Sequence, residues 1–125
     1  MRHKEYYNDL GCPIEAAVEV IGGKWKGLIL YQLRHDTKRF NELKRLIPGI
    51  TQRMLTKQLK ELETDFIIKR EVFSEIPPKV EYSLTTFGET LAPALNALQA
   101  WGEAYIKKTS LSQQKTDDSV QIDHR

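Results

Sequence analysis

Between residues 40 and 64, two short amphipathic segments are separated by a turn that a helix cannot cross. The first segment has apolar residues at the spacing of one helical face: Phe40, Leu43 and Ile47. Pro48-Gly49 ends this pattern, because proline lacks a backbone N–H and clashes with the preceding helical turn. Thr51 suits the N-cap of a second helix, predicted to end near Thr64, with an apolar face of Leu55, Leu59 and Leu62. Two helices joined in this way, the second of them basic, have the sequence form of a helix-turn-helix.

After Asp65 the apolar pattern changes to one typical of strands. β-Branched and aromatic residues form two short runs: Ile67, Ile68, Val72, Phe73 and then Val80, Tyr82. The residues from Ser74 to Pro78 separate these runs and cannot be helical. We predict a β-hairpin with Lys79 at its tip, and a hairpin directly after a helix-turn-helix is a wing. The predicted fold class is therefore mainly α with a small β-hairpin wing (α+β), a winged helix-turn-helix.

Further helices flank this central part. Pro13 suits the first position of an N-terminal helix, whose apolar face is formed by Ile14, Ala17, Val18 and Ile21. A second helix follows, with Trp25, Leu28, Ile29 and Leu33 on one side. The last helix begins at a Thr86-x-x-Glu89 capping box, or alternatively with Thr85 as N-cap. Its apolar stripe comprises Phe87, Leu91, Leu95, Leu98, Trp101 and Tyr105, and Pro93 predicts a kink or break near Ala92.

The length of 125 residues corresponds to one domain. We place that domain at residues 1–108 and expect the polar, nearly charge-balanced segment 109–125 to be disordered. No apolar run approaches the roughly 20 residues that span a bilayer. The charged N-terminus is unlike a secretory signal. We therefore expect a cytoplasmic protein with no membrane partner.

Basic residues are concentrated between Lys38 and Lys60. That segment holds seven lysines and arginines and one acid, whereas the whole chain has a net charge of only +2. Basic patches bind phosphate, although an ordinary solvated helix face is the alternative interpretation. We predict double-stranded DNA as the partner, with Arg53 reading guanine and Gln52 reading adenine. The predicted DNA-binding residues are Thr51, Gln52, Arg53, Thr56, Lys57, Lys60, Lys44, Arg45 and Lys79; Lys57 and Lys60 are assigned to phosphates.

Three long stretches and a short one carry a family resemblance. They read CPIEAAVEVIGGKWKGLILYQL, KRFNELKRLIPGITQRMLTKQLKELE, EIPPKVEYSLTTFGETL and AWGE. Over about residues 12–103 the chain resembles the bacterial HxlR-type winged helix-turn-helix transcriptional regulators, a MarR-like group. The resemblance implies a DNA-binding homodimer whose N-terminal and C-terminal helices form the interface. The residues that we place there are Ile14, Val18, Leu91, Leu95, Leu98, Trp101 and Tyr105.

The resemblance also draws attention to Cys12, because several family members sense electrophiles or oxidants through a cysteine at this position. Cys12 is the only cysteine, so no intrachain disulfide can form. It stands at the start of a helix, where an anion such as the thiolate is favoured. We predict a homodimer on an inverted-repeat operator, switched by a small electrophile or oxidant at Cys12. The alternative is a regulator switched by a non-covalent small ligand, with Cys12 only structural. An intersubunit disulfide, a mixed disulfide and an adduct all remain open as products.

Other chemistry is not indicated by the sequence. The three histidines, His3, His35 and His124, are scattered without the spacing of metal ligands. We expect no metal, no cofactor, no catalytic residues and no enzymatic activity. A winged helix used only for contacts with other proteins is a further alternative, against which the basic second helix argues.

Overall fold

The computed structural model describes residues 11–118, with side chains described as far as residue 111. Six helices lie in this part of the chain: α1 (Pro13–Ile21), α2 (Lys26–Leu33), α3 (Phe40–Leu46), α4 (Gln52–Thr64), α5 (Thr86–Glu89) and α6 (Ala92–Asp118). Three strands accompany them: β1 (Lys38–Arg39), β2 (Ile68–Phe73) and β3 (Lys79–Leu84). The predicted winged helix-turn-helix, mainly α with a small β-hairpin wing, is confirmed.

The sheet connects the wing to the helix-turn-helix. Its strand order is β1-β3-β2, and both pairings are antiparallel. Strands β2 and β3 form the predicted hairpin, in which Phe73 pairs with Lys79. The two-residue strand β1 was not predicted, because two residues are too short for a recognisable pattern. It pairs with β3 directly before α3 begins, so the start of α3 is held beside the wing.

The core lies where α2, α3, α4 and β2 meet. Its fully buried side chains include Ile29, Leu30, Leu43, Ile47, Leu55, Leu62 and Ile68. The apolar face predicted for α4 is therefore the buried one. At the turn between α3 and α4, Gly49 has a φ of +85°, a left-handed conformation that glycine adopts without strain. The core and this turn together determine which face of α4 remains in solvent.

The loop after α4 is fastened to α5 by Thr85. The Thr85 hydroxyl accepts a hydrogen bond from the backbone N–H of Gly88 at 2.8 Å and donates one to the carbonyl of Phe66 at 2.7 Å. Thr85, rather than Thr86, is thus the N-cap of α5. Gly88 approaches this loop so closely that a Cβ atom there would lie 2.1 Å from the carbonyl oxygen of Ile67.

The chain forms two compact units. The first ends at Leu91 and the second begins at Ala92, where Pro93 led us to expect a kink or break. Helix α6 continues to Asp118. Leucine, glutamine and lysine favour helix, and the Thr109 hydroxyl donates to the carbonyl of Tyr105 within the helix. Residues 1–10 and 119–125 of the predicted domain and tail lie outside the described residues.

Candidate DNA-binding surface

Helix α4 presents one apolar and one polar face. Thr51 is its N-cap, as predicted, and the Thr51 hydroxyl accepts a hydrogen bond from the backbone N–H of Met54 at 3.0 Å. The predicted contact residues of this helix are all exposed: Thr51, Gln52, Arg53, Thr56, Lys57 and Lys60. Since Leu55, Leu59 and Leu62 are buried, the structure places the predicted polar residues together on the solvent side.

The exposed polar side chains of α4 differ in whether they already form hydrogen bonds with the backbone of the helix. The Thr56 hydroxyl donates to the backbone carbonyl of Gln52 at 2.9 Å, and Thr51 caps the helix. These two threonines therefore support the helix itself. Gln52 and Arg53 are exposed in the first turn of α4. That end of a recognition helix is the one that contacts base edges.

Helix α3 adds further cations beside α4. Lys44 and Arg45 lie in its last turn and are exposed, as expected for phosphate contacts. Glu42, the one acid of the basic segment, accepts a hydrogen bond from the backbone N–H of Arg39 at 2.8 Å. The same segment also contains Lys38, whose ammonium group donates to the carboxylate of Asp36. Lys38 is thus engaged locally, whereas Arg39 and Arg45 line a cleft of about 570 Å³ between α3 and the wing.

Lys79 does not occupy the place that the sequence suggested. It is the first residue of β3 rather than the tip of the hairpin. Its ammonium group lies 3.8 Å from a carboxylate oxygen of Glu75, 3.5 Å from one of Glu81, and 4.8 Å from the centre of the Phe73 ring. The charge of Lys79 is therefore already balanced within the wing.

A part-buried ion pair between α2 and α4 was not predicted. The Lys26 ammonium donates to a carboxylate oxygen of Glu61 at 2.6 Å, with the two side chains 7% and 24% exposed. Lys26 shares the buried side of α2 with Ile29, Leu30 and Leu33. The sequence could have indicated this pair, because Lys26 has the helical spacing of the apolar residues that follow it and is therefore expected to be buried. A buried ammonium group requires an acidic partner. The pair joins α4 to the core.

Cys12 is exposed and is the N-cap residue of α1. Its carbonyl accepts a hydrogen bond from the backbone N–H of Ala16, whereas its thiol makes no capping hydrogen bond. Helix α1 contains no buried residue, and Ile14 and Val18 are 73% and 58% exposed. Within a single chain the Cys12 side chain is therefore accessible. A mostly apolar cavity of about 250 Å³ lies against the inner side of α1, lined by Ala16, Val20, Ile67, Phe87 and others.

The residues predicted for a dimer interface on α6 fall into two groups. Leu98, Trp101 and Tyr105 are exposed, and the Trp101 and Tyr105 rings stack at 5.4 Å. Leu95 is only 6% exposed, so its side chain is not available to a partner; this corrects its assignment to the interface. Leu91, in the first unit, is partly buried and lines the cavity beside α1. The apolar stripe predicted from the sequence ended at Tyr105, but Ile106 and Leu111 are exposed apolar residues of α6 as well.

Among the described side chains, residues 11–111, no cluster of three or more histidine, cysteine, aspartate or glutamate residues is arranged to hold a metal ion. In the same part of the chain, each helix is too short or too polar to cross a bilayer.

Comparison with known proteins identifies relatives of the chain. The sequence model of the HxlR-like helix-turn-helix family matches residues 20–110. The HTH-type transcriptional regulator YdeP of Bacillus subtilis is 59% identical over 95 residues, which cover 76% of this chain and 74% of YdeP. Its function is thus described only at the level of transcription regulation.

Solved structures give the same fold and add a redox context. The redox regulator HypR in its reduced form is 52% identical, with a TM-score of 0.76 over 79% of this chain and 98% of HypR. Its oxidised form is 57% identical, with a TM-score of 0.72 over 74% of this chain and 96% of HypR. Diamide-treated YodB from B. subtilis is 41% identical, with a TM-score of 0.65 over 77% of this chain and 96% of YodB.

Proposed function

This chain belongs to the HxlR-like helix-turn-helix family of transcriptional regulators, and we propose that it binds an inverted-repeat operator as a homodimer that is switched by modification of Cys12. The observation that carries the DNA-binding part is the exposed face of α4, with Gln52 and Arg53 at its N-terminal end and Lys57 and Lys60 behind them. Guanidinium and amide groups suit base edges, whereas ammonium groups suit phosphates.

The homodimer is supported by apolar surface that a single chain leaves in water. Helix α1 exposes Ile14 and Val18, and α6 exposes Leu98, Trp101 and Tyr105. Exposed aromatic residues of this kind are enriched at the centres of protein interfaces. A two-fold dimer would present two α4 helices to two half-sites related by the same symmetry, which is why an inverted repeat is the expected operator.

The switch is supported by the position of Cys12. Cys12 is exposed and is the N-cap of α1, one of the two helices that we assign to the interface. Modification adds bulk or a covalent link at that point without requiring the domain to unfold. A shift of about 1–3 kcal/mol between two subunit orientations would change DNA occupancy roughly 5- to 150-fold. HypR has been solved in reduced and oxidised forms, and YodB after treatment with diamide. These relatives support a thiol response as the switch of this chain.

The test is operator binding by purified protein with and without diamide. Diamide accepts two electrons and two protons from two thiols, so that one disulfide forms and diamide is reduced to the hydrazine. We expect diamide to change the operator affinity of the wild type and expect the change to reverse with a reducing agent. Cys12→Ser is the matched control, because it should bind DNA but not respond. An equal response in Cys12→Ser would refute the switch, since the chain has no other thiol.

A second candidate is a switch by a non-covalent ligand, and the apolar cavity beside α1 favours it. The cavity joins α1 to the segment after α4, with Ala16, Ala17 and Ile67 among its walls. A small neutral ligand would therefore touch both the proposed interface helix and the segment that directly follows the proposed recognition helix. If Cys12→Ser kept a response to a quinone, filling the cavity by Ala16→Leu should remove that response. Ala16→Leu with an unchanged response would reject the cavity as the sensor.

A further inference from the structure

Phe66 occupies a backbone position that favours glycine. After α4, the backbone N–H of Phe66 donates to the carbonyl of Glu63 at 3.0 Å. The next N–H, that of Ile67, donates to the carbonyl of Leu62, also at 3.0 Å. These two bonds form a Schellman motif, in which the residue after the C-cap adopts a left-handed conformation. Asp65 is the C-cap, and Phe66 accordingly has a φ of +65°. A bulky side chain is an outlier at this angle, whereas glycine adopts it readily.

The ring of Phe66 contributes little to the core of its own chain. It is 75% exposed, which makes it the most exposed aromatic side chain in the part of the chain that the structure describes. The following residue, Ile67, is only 3% exposed and belongs to the core. Strained backbone persists only where other interactions hold it, and it is concentrated at sites of function. Because glycine could end α4 with less strain, the fold itself does not require a ring at this position.

Phe66 belongs to a junction that also exposes Phe87. The carbonyl of Phe66 accepts a hydrogen bond from the Thr85 hydroxyl at 2.7 Å, and the same hydroxyl accepts one from the backbone N–H of Gly88 at 2.8 Å. Phe87 lies in α5 between Thr85 and Gly88 and is 61% exposed. We call the two phenylalanines the Phe66–Phe87 corner. Since these hydrogen bonds hold the backbone of the corner, little entropy is lost when it docks.

The corner is continuous with the helix that we assign to the dimer interface. Asp65 and Ile67, the neighbours of Phe66, line the apolar cavity beside α1 together with Phe87. Helix α1 provides a further wall of this cavity through Ala16 and other residues. The same helix exposes apolar side chains that we place in the interface. A second copy of the chain that covers α1 is therefore close enough to reach the corner.

The corner also supplies area that a stable dimer needs. A standard interface buries about 800 Å² on each partner. A fully covered phenylalanine buries roughly 150–250 Å². At exposures of 75% and 61%, the two rings can therefore bury roughly 250 Å², about a third of that requirement.

We propose that the Phe66–Phe87 corner docks against a second copy of this chain and forms part of the homodimer interface. This inference rests on the homodimer proposed above and extends its interface from α1 to the end of α4. Helix α4 ends at Thr64, so the partner would contact the chain two residues after the proposed recognition helix. A change of subunit orientation at α1 would then be transmitted to α4 through the corner.

The first test removes the ring and relieves the strain in one step. Phe66→Gly fits the left-handed conformation, so we expect an unchanged far-ultraviolet circular dichroism spectrum. We expect the dimer dissociation constant, measured by analytical ultracentrifugation, to rise at least about 10-fold, as for an interface anchor. Phe66→Asn is a second variant, because asparagine tolerates the same conformation without the freedom that glycine gives the unfolded chain. Ile76→Ser is the control: Ile76 is 100% exposed on the hairpin, outside the corner, and its loss should leave the dissociation constant unchanged.

The other results of this test would overturn the proposal. Folded Phe66 variants with the dissociation constant of the wild type would show that the corner is not in the interface. Loss of the folded state in both variants would show that the ring serves its own chain. An equal weakening by Ile76→Ser would mean that any exposed apolar residue has the same effect. A wild type that is monomeric at micromolar concentration would instead refute the homodimer of the proposed function, so the two failures are distinguishable.

The second test identifies what covers Phe66. The variant Phe66→p-benzoylphenylalanine carries a photoreactive ring at this position, and chains labelled with light and heavy nitrogen isotopes are mixed so that subunits exchange. We expect irradiation to yield cross-linked peptides that combine the two isotopes. Cross-links that join only peptides of the same isotope, for example to residues 1–10, would assign the ring to its own chain and overturn the proposal. A dimeric protein without any cross-link between subunits would overturn it as well.

Discussion

Arg53 and Lys57 are both exposed on α4, one helical turn apart, but they can recognise different parts of DNA. The planar guanidinium of Arg53 can form two parallel hydrogen bonds to guanine, whereas the Lys57 ammonium acts as a point charge. We expect Arg53→Ala to weaken binding to the selected operator by about 1–3 kcal/mol and to relax the preference at one base pair. Lys57→Ala should weaken all sequences alike and reduce the salt slope by about one phosphate contact.

Titration of each variant against specific and random DNA at several salt concentrations measures these effects. Arg53→Lys is the informative control, because it keeps the charge but loses the bidentate geometry. If Arg53→Ala retained both affinity and sequence preference, the assignment of base contacts to Arg53 on α4 would be wrong.

The Lys26–Glu61 pair gives a prediction about stability. Because the Lys26 ammonium is buried and the Glu61 carboxylate is partly exposed, Lys26→Met should lower the free energy of unfolding by about 1–3 kcal/mol, less than the loss of a fully buried pair. The double variant Lys26→Met/Glu61→Leu should recover much of that loss, because replacing a buried pair by apolar residues is often neutral. Denaturant unfolding of both single variants and the double variant measures the coupling. Purely additive effects would mean that the pair does not contribute as one unit.

At the scale of elements, α6 is the helix with the largest exposed aromatic group. Trp101 is 67% exposed and stacks on Tyr105, so it provides a broad apolar surface for a second chain. We expect Trp101→Ala to weaken dimerisation by at least about 2 kcal/mol, as for an interface hot spot, and to weaken operator binding through the loss of the dimer. Light scattering over a concentration series measures the first effect.

Lys107→Ala is the matched control, since Lys107 is an exposed polar residue of the same helix. It should leave the dimer unchanged. A wild type that is monomeric at micromolar concentration would contradict the proposed dimer and with it the role of α6.

For the whole molecule, the two-fold dimer predicts a geometric rule for the operator. Two recognition helices in successive major-groove segments lie about 34 Å apart, one turn of DNA. Inserting 5 base pairs, roughly half a turn, between the half-sites rotates one of them to the opposite face of the duplex. The affinity for this operator should then fall to the affinity for a single half-site. An electrophoretic assay of the inserted operator and of an isolated half-site measures both. Equal affinity for both spacings would mean that the two subunits bind independently.

Much of the fold could be predicted because it depends on neighbouring residues in the chain. Pro48-Gly49 ends α3 and Thr51 caps α4 in the structure as in the sequence. Periodicity also identified which side of α4 is buried. Low hydrophobicity after residue 108 indicates that this segment lacks a core, whereas the extension of α6 to Asp118 needs only favourable helix propensity and internal hydrogen bonds.

The sequence by itself determined the helix-turn-helix, the wing and the exposed cationic face of α4, because a helical or strand period assigns each residue to a side of its own element. Only the tertiary structure decided which groups meet across elements. Lys26 and Glu61 are 35 positions apart, and their contact follows from how α2 packs on α4. The balance of charge at Lys79 and the cleft that places Arg45 opposite Pro78 likewise depend on the hairpin and on its docking to α3. Such contacts depend on strand register and helix packing, which local sequence periodicity does not encode.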